Sequence, residues 1–238
     1  MRMVQVRQTQ RVQRTRGLQP KVRKAPARDL AIRALADPVA RKLASLGQIR
    51  RYAKDSLLIR ENDPAQEFFV VLAGAVVVFV ADAGGREMIL GQYGPSTCLG
   101  EMALEGQARC ASVRALRPTV CAVVKRRSLR RALNADPQLA MQLLATVSKR
   151  VRNTTGVVKS LALSNVYSRV SDLLLSLEYE PIDGIRWSRE AFRQLDIANR
   201  VGASRDMISR VLKELQRGGY IAIRDRRFTI LRQPPARW

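Results

Sequence analysis

The stretch GEMALEGQARCASVRA, Gly100 to Ala115, decides how this chain is read. It sits among short runs rich in Val, Ile, Leu and Phe, the composition of half-buried strands. It opens with Gly100-Glu101 and sets Arg109 eight residues beyond the acid, among neighbours that are mostly small or apolar. An acid and an arginine around such a turn leave two readings. Either they pair with each other as a structural ion pair, or together they grip something polar and anionic.

The segments on both sides, RRYAKDSLLIREND (50–63), EFFVVLAGAVVVFVADAGGREMILGQY (67–93) and ASVRALRPTVCAVVKRRSL (111–129), alternate apolar runs with Asn-Asp-Pro, Ala-Gly and Gly-Gly turn signals. Short strands with regular turns predict a compact antiparallel barrel or roll. The apolar run between Glu67 and Asp82 falls short of the roughly 18 residues of a membrane-spanning helix and holds Gly74 near its middle, so it reads as strand, turn, strand. A short helical segment from Asp29 leads into this region.

After Pro137 the period changes. Leu144, Val147, Val151, Thr154, Val158 and Leu161 follow at intervals of 3, 4, 3, 4 and 3, an apolar seam of the kind by which one long helix pairs with another. One long helix is expected over 137–180, read as a dimerisation helix for its length, with an amphipathic helix packed on its own domain as the alternative. Thr154 and the adjacent Thr155 put hydroxyls in or beside the seam, where a ligand or a partner chain would satisfy them.

The segment EPIDGI ends the helix, and a basic module follows with 13 Arg and Lys against 5 Asp and Glu from Arg186 to Trp238. Ile197, Ala198 and Val201 form the apolar face of a short helix, Gly202 supplies a turn, and Ser204 caps a second helix whose Ile208, Val211, Leu212 and Leu215 point inward. That is a helix-turn-helix, and YIAIRDRRFTIL reads as a hairpin wing turning at Asp225-Arg226. The outward face of the capped helix offers Arg205, Asp206, Ser209 and Arg210 to base edges. Lys213, Arg217 and the wing arginines suit phosphate.

Composition fits this reading. The 238 residues suffice for two modest domains, and 43 Lys and Arg against 20 Asp and Glu give a net charge of +23. Such an excess favours nucleic acid first and an anionic membrane surface second. Residues 1–28 carry nine of these cations and no acid, which predicts a flexible basic tail. No secretory signal is read at the N-terminus, and a cytoplasmic protein without membrane contact is expected. Cys98, Cys110 and Cys121 lack metal-ligand spacing and read as reduced thiols. The sequence holds no histidine, which removes His-based acid–base catalysis, His-ligated haem and mixed Cys/His zinc sites. No P-loop or nucleophile–base pair is legible, so no enzyme is expected.

With these residues in view, the chain resembles the bacterial CRP/FNR family of transcription regulators over roughly residues 45–232. The motifs that carry the resemblance are GREMIL, the stretch from Gly100 to Ala115, the helix with Thr154-Thr155 and LALSNVYSRV, and VGASRDMISRVLKELQRGGYI. The subgroup it looks most like is the cyclic-AMP receptor proteins and their cyclic-di-GMP-responsive relatives. The resemblance implies an α+β architecture: a cyclic-nucleotide-binding β-roll over 29–136, the dimerisation helix over 137–180, and a winged helix-turn-helix over 181–238. It implies a cyclic nucleotide effector, cyclic AMP or cyclic-di-GMP, with no covalent cofactor. The implied partners are a double-stranded DNA operator, a second copy of the chain and RNA polymerase. In the family, the arginine matching Arg109 pairs with the cyclic phosphate, the acid matching Glu101 binds the ribose hydroxyl, and Gly100 lets the backbone approach. The threonines matching Thr154 and Thr155 touch the base, one from each subunit.

The sequence departs from the pattern in places. Cys110 stands where the cyclic-AMP receptor has serine, and a thiol is a weak hydrogen-bond donor. The cassette turn is about two residues shorter. Arg205 and Arg210 match guanine-reading arginines, but Asp206 replaces a glutamate, and FRQLDI departs from the usual TRQEIG. The iron–sulfur branch needs clustered N-terminal cysteines, which are lacking. The alternatives to a nucleotide-controlled regulator are a ligand-independent one and a non-specific DNA-organising protein.

Overall fold

The computed structural model describes residues 28–235; the expected basic tail lies, but for its last position, outside the described residues. Two short helices come first, α1 (Arg28–Arg33) and α2 (Pro38–Ser45). The second starts where Asp37 accepts a hydrogen bond from the Val39 amide and Pro38 fills the first turn, a position where a missing N–H costs nothing.

The β-region then forms as β1 (Gln48–Tyr52), β2 (Leu57–Ile59), β3 (Glu67–Ala73), β4 (Val76–Ala81), β5 (Glu87–Tyr93), β6 (Cys98–Leu99), β7 (Ser112–Ala115) and β8 (Thr119–Lys125). All pairings are antiparallel, in two four-stranded sheets ordered β1-β8-β3-β6 and β2-β7-β4-β5. The expected roll is present. Side chains alternate across a strand, and both faces of β3 are buried. Phe68, Val70 and Leu72 join Leu43, Leu129 and Leu139 of the flanking helices, whereas Phe69 and Val71 join Leu99, Val113 and Val123 inside the roll. Such a strand reads as an unbroken apolar run because it has no solvent face. At the β3–β4 turn Gly74 has φ 94°, and a Cβ there would lie 2.6 Å from the Pro118 carbonyl oxygen, so only glycine fits.

Beyond β8 come α3 (Arg126–Ala135) and α4 (Pro137–Leu163). Asp136 caps α4 by accepting from the Leu139 amide and also pairs with Lys42; together these hold its carboxyl below the usual range. One continuous helix over 137–180 does not form, which corrects that expectation. Ser164 is extended, Asn165 accepts from the Ser168 amide, and a separate helix α5 (Val166–Ser176) begins. An asparagine side chain that caps a new start competes with helix continuation. The break also lets Tyr167, Val170 and Leu174 turn into the core of the C-terminal module.

That module continues with β9 (Tyr179–Ile182), β10 (Ile185–Ser188), α6 (Gln194–Val201), α7 (Arg205–Arg217), β11 (Ile221–Arg224) and β12 (Arg227–Ile230). The inward residues expected of α6 and α7, from Ile197 to Leu215, are all buried. Among the described residues no helix is long and apolar enough to cross a membrane.

Candidate ligand pocket and DNA-binding surface

Arg109 is 6% exposed although it carries a charge. Its guanidinium donates to the Gly100 carbonyl at 3.0 Å and the Glu67 carbonyl at 2.5 Å, and among the described residues it has no carboxylate partner. Burial pulls its pKa below the ordinary arginine value. Gly100 makes the arrangement feasible. Its φ is 84°, and a Cβ on it would lie 2.7 Å from the Arg109 Nη1.

Glu101 does not pair with Arg109. Both of its carboxylate oxygens accept from Arg150 Nη1 of α4, at 2.8 and 2.7 Å, while Arg150 Nη2 donates to the Cys98 carbonyl. The Arg150 guanidinium also lies 5.6 Å from the centre of the Tyr93 ring. The ion-pair reading of the sequence therefore had the wrong partner: the acid is tied to the long helix, and Arg109 is left to face the cavity. Arg150 was missed from sequence. The available signal was its place one helical turn before Thr154, on the same face.

Between the roll and α4 lies a cavity of about 450 Å³. Gly100, Glu101, Arg109, Cys110, Thr154 and Thr155 all line it, so the structure brings together every expected ligand residue. Most of the remaining wall is apolar, including Ile59, Leu99 and Val113 from the roll and Val147, Val151 and Val158 from α4. Thr154 and Thr155 donate back to the carbonyls of Arg150 and Val151, at 3.1 and 2.9 Å, which leaves oxygen lone pairs for a ligand. Cys110 is exposed, whereas Cys98 and Cys121 are buried and their thiols are pushed up to about 12 by burial.

Part of the seam along α4, including residues that border the cavity, is uncovered in the single chain. Leu144, Val151 and Val158 are 55%, 59% and 58% exposed, values a partner helix would reduce.

In the C-terminal module, Gly202 adopts the left-handed conformation with φ 64°, and Ser204 accepts from the Met207 amide at 3.2 Å to start α7. The exposed side of α7 carries Arg205, Asp206, Arg210 and Lys213, with Ser209 half-buried between them. None of the four charged side chains is held in an ion pair with a described residue, so that face is free for a polyanion. At α6, Asp196 replaces a side-chain cap by accepting from the Arg193 amide. The module rests on the roll through Arg200, which stacks on Phe192 at 4.5 Å and reaches Gln92 of β5 at 3.5 Å.

The cyclic nucleotide-binding domain family matches residues 49–136, and the Crp-like helix-turn-helix domain family matches residues 168–235. The chain is 31% identical over 187 residues to the cAMP-activated global transcriptional regulator CRP of Pasteurella multocida, covering 76% of this chain and 88% of that protein. It is equally 31% identical, over 191 residues with the same coverage, to the cAMP-activated regulator Vfr of Pseudomonas aeruginosa. The c-di-GMP-responsive global regulator CLP of Xanthomonas campestris superposes with a TM-score of 0.71 at 27% identity, over 81% of this chain and 97% of CLP. The roll, the long helix and the winged module thus match relatives in the same order, and the chain belongs to the CRP/FNR family of transcription regulators.

Proposed function

We propose that the chain acts as a homodimer that binds operator DNA under the control of a cyclic nucleotide held between the roll and α4. The observation that carries this reading is Arg109, a buried cation without a carboxylate partner among the described residues, facing a cavity of about 450 Å³. A buried guanidinium of this kind suits a phosphate. Glu101 accepts from a sugar hydroxyl with the lone pairs that Arg150 leaves, and the Thr154 and Thr155 oxygens accept from an exocyclic amine of the base. Cyclic AMP is the favoured effector: it has one phosphate, and Arg109 is the one lining arginine not already committed to a carboxylate. Cyclic-di-GMP is the second reading, favoured by the likeness to CLP. The working division is a roll over 29–136, a dimer helix and a winged module, with RNA polymerase as the partner at the promoter.

In the dimer, the seams of two α4 helices face each other, and each pocket is shared with the helix that holds the pair together. Ligand shifts the population in which both α7 helices fit successive major grooves about 34 Å apart.

Two measurements check the halves of this reading. A thiol reagent at neutral pH should modify Cys110 and spare Cys98 and Cys121, whose burial keeps them protonated. Saturating cyclic AMP should slow that modification at least about tenfold, because Cys110 lines the pocket. Arg205→Ala should lose sequence discrimination of about 1–3 kcal/mol per half-site while keeping most of its non-specific affinity. Equal losses with operator and with competitor DNA would make Arg205 a phosphate contact only.

A further inference from the structure

The C-terminal module holds two hairpins with two-residue turns. Between β9 and β10 the turn is Asp183-Gly184, with φ 51° and 78°; between β11 and β12 it is Asp225-Arg226, with φ 51° and 64°. Positive φ at both central residues is the type I′ geometry, which matches the twist of the strands and favours glycine at the second position. The first hairpin has that glycine. The wing has an arginine, held in a conformation that L side chains avoid. Two hairpins of the same geometry in one module make the exception informative: an unfavourable residue kept at a turn points to a use for its side chain.

The surroundings of Arg226 narrow that use. Of the three arginines at the wing, Arg227 pairs with Glu180 at 2.7 Å, and Arg224 lies 3.9 Å from Asp183 and 3.8 Å from Asp225. Arg226 is exposed, and its guanidinium has no ion pair or hydrogen bond among the described residues. Its backbone is fixed, because the Arg226 carbonyl accepts from the Phe192 amide at 2.8 Å. The result is one free guanidinium at the tip of a fixed turn, on a hairpin whose first strand packs against α7. A phosphate contact needs no such placement, since a flexible basic side chain anywhere on the wing reaches the DNA backbone. A narrow A·T-rich minor groove, where the negative potential is deepest, asks for a single weakly hydrated cation on a thin projection.

We propose that Arg226 reads the minor groove next to the half-site bound by α7, giving the protein a preference for A·T pairs there. This rests on the DNA-binding reading of the module. The test is selection from a library of randomised duplexes, followed by sequencing, with the wild-type protein and Arg226→Gly. The wild-type protein should select a core motif with A·T pairs at its side, favoured over G·C by roughly fivefold or more. Arg226→Gly should select the same core with that ratio near unity, and its melting temperature should rise by a few degrees as the turn relaxes. An A·T preference absent from the wild type, or unchanged in Arg226→Gly, would overturn the proposal while leaving the core motif and the DNA-binding reading standing. So would a drop in the melting temperature, which would show the arginine to be structural. If the wild type selects no core motif at all, the DNA-binding reading fails and this inference goes with it.

Discussion

Arg109→Ala is expected to reduce cyclic nucleotide affinity by at least about a hundredfold while leaving the proposed dimer intact. The magnitude follows from the setting. The guanidinium is 6% exposed and unpaired by any described carboxylate, so a bound phosphate there is a desolvated charge pair with few competing waters. Truncating one partner of such a pair costs about 2–5 kcal/mol, largely because the other charge is left buried and unmatched. The dimer survives because its seam, from Leu144 to Leu161, is on α4 and does not include Arg109. Two carbonyls, of Gly100 and Glu67, lose a donor in the variant, so some local loosening of the cassette is expected as well. Arg109→Lys separates the two effects, keeping the charge without the planar fork. Calorimetry with cyclic AMP and sedimentation of both variants measure the outcome. Unchanged affinity in Arg109→Ala would show that Arg109 is not the phosphate site.

The pair Glu101–Arg150 should give the second large effect. Its side chains are 18% and 21% exposed, and it joins the cassette to α4 across 49 residues of sequence. Arg150→Met leaves Glu101 half-buried without its cation and frees the Cys98 carbonyl, and is expected to destabilise the protein by about 2–3 kcal/mol. Glu101→Gln should cost less, because the amide oxygen still accepts. In the double variant the losses should fall short of their sum by about 1–2 kcal/mol, the signature of a direct contact. Additive losses in denaturant unfolding would mean that the two residues act separately. The ligand consequence is linked to geometry: Thr154 is one helical turn beyond Arg150, so a detached Arg150 also releases the cavity wall that is proposed to hold the base. Arg150→Met should therefore weaken nucleotide binding although it makes no phosphate contact.

Much of the fold was legible in the sequence, because pattern and turn chemistry agree there. The run from Phe68 to Ala81 could only be strands once Gly74 divided it, and the Asp225-Arg226 turn and Ser204 cap were read at the right positions. The α6 and α7 cores followed from apolar spacing. Two features were not legible, each for a physical reason. The end of α4 at Leu163 depends on Asn165 capping α5 and on Tyr167 and Val170 finding a core in the next domain, while the local period runs through without a proline. The partner of Glu101 depends on tertiary packing. Spacing along the chain suggested Arg109, eight residues away, whereas the fold delivers Arg150 from another element.

The most direct measurement is fluorescence anisotropy of a labelled palindromic TGTGA-type duplex at fixed salt, with the protein alone, with cyclic AMP and with cyclic-di-GMP. Salt is held constant because the net charge of +23 makes any affinity strongly dependent on it. Cyclic AMP is expected to tighten binding by at least about tenfold, in line with a typical coupling of 1–3 kcal/mol. A change with cyclic-di-GMP alone, in either direction, would keep the nucleotide control and reassign the effector. Binding that neither nucleotide alters would contradict control through the pocket that Arg109 faces.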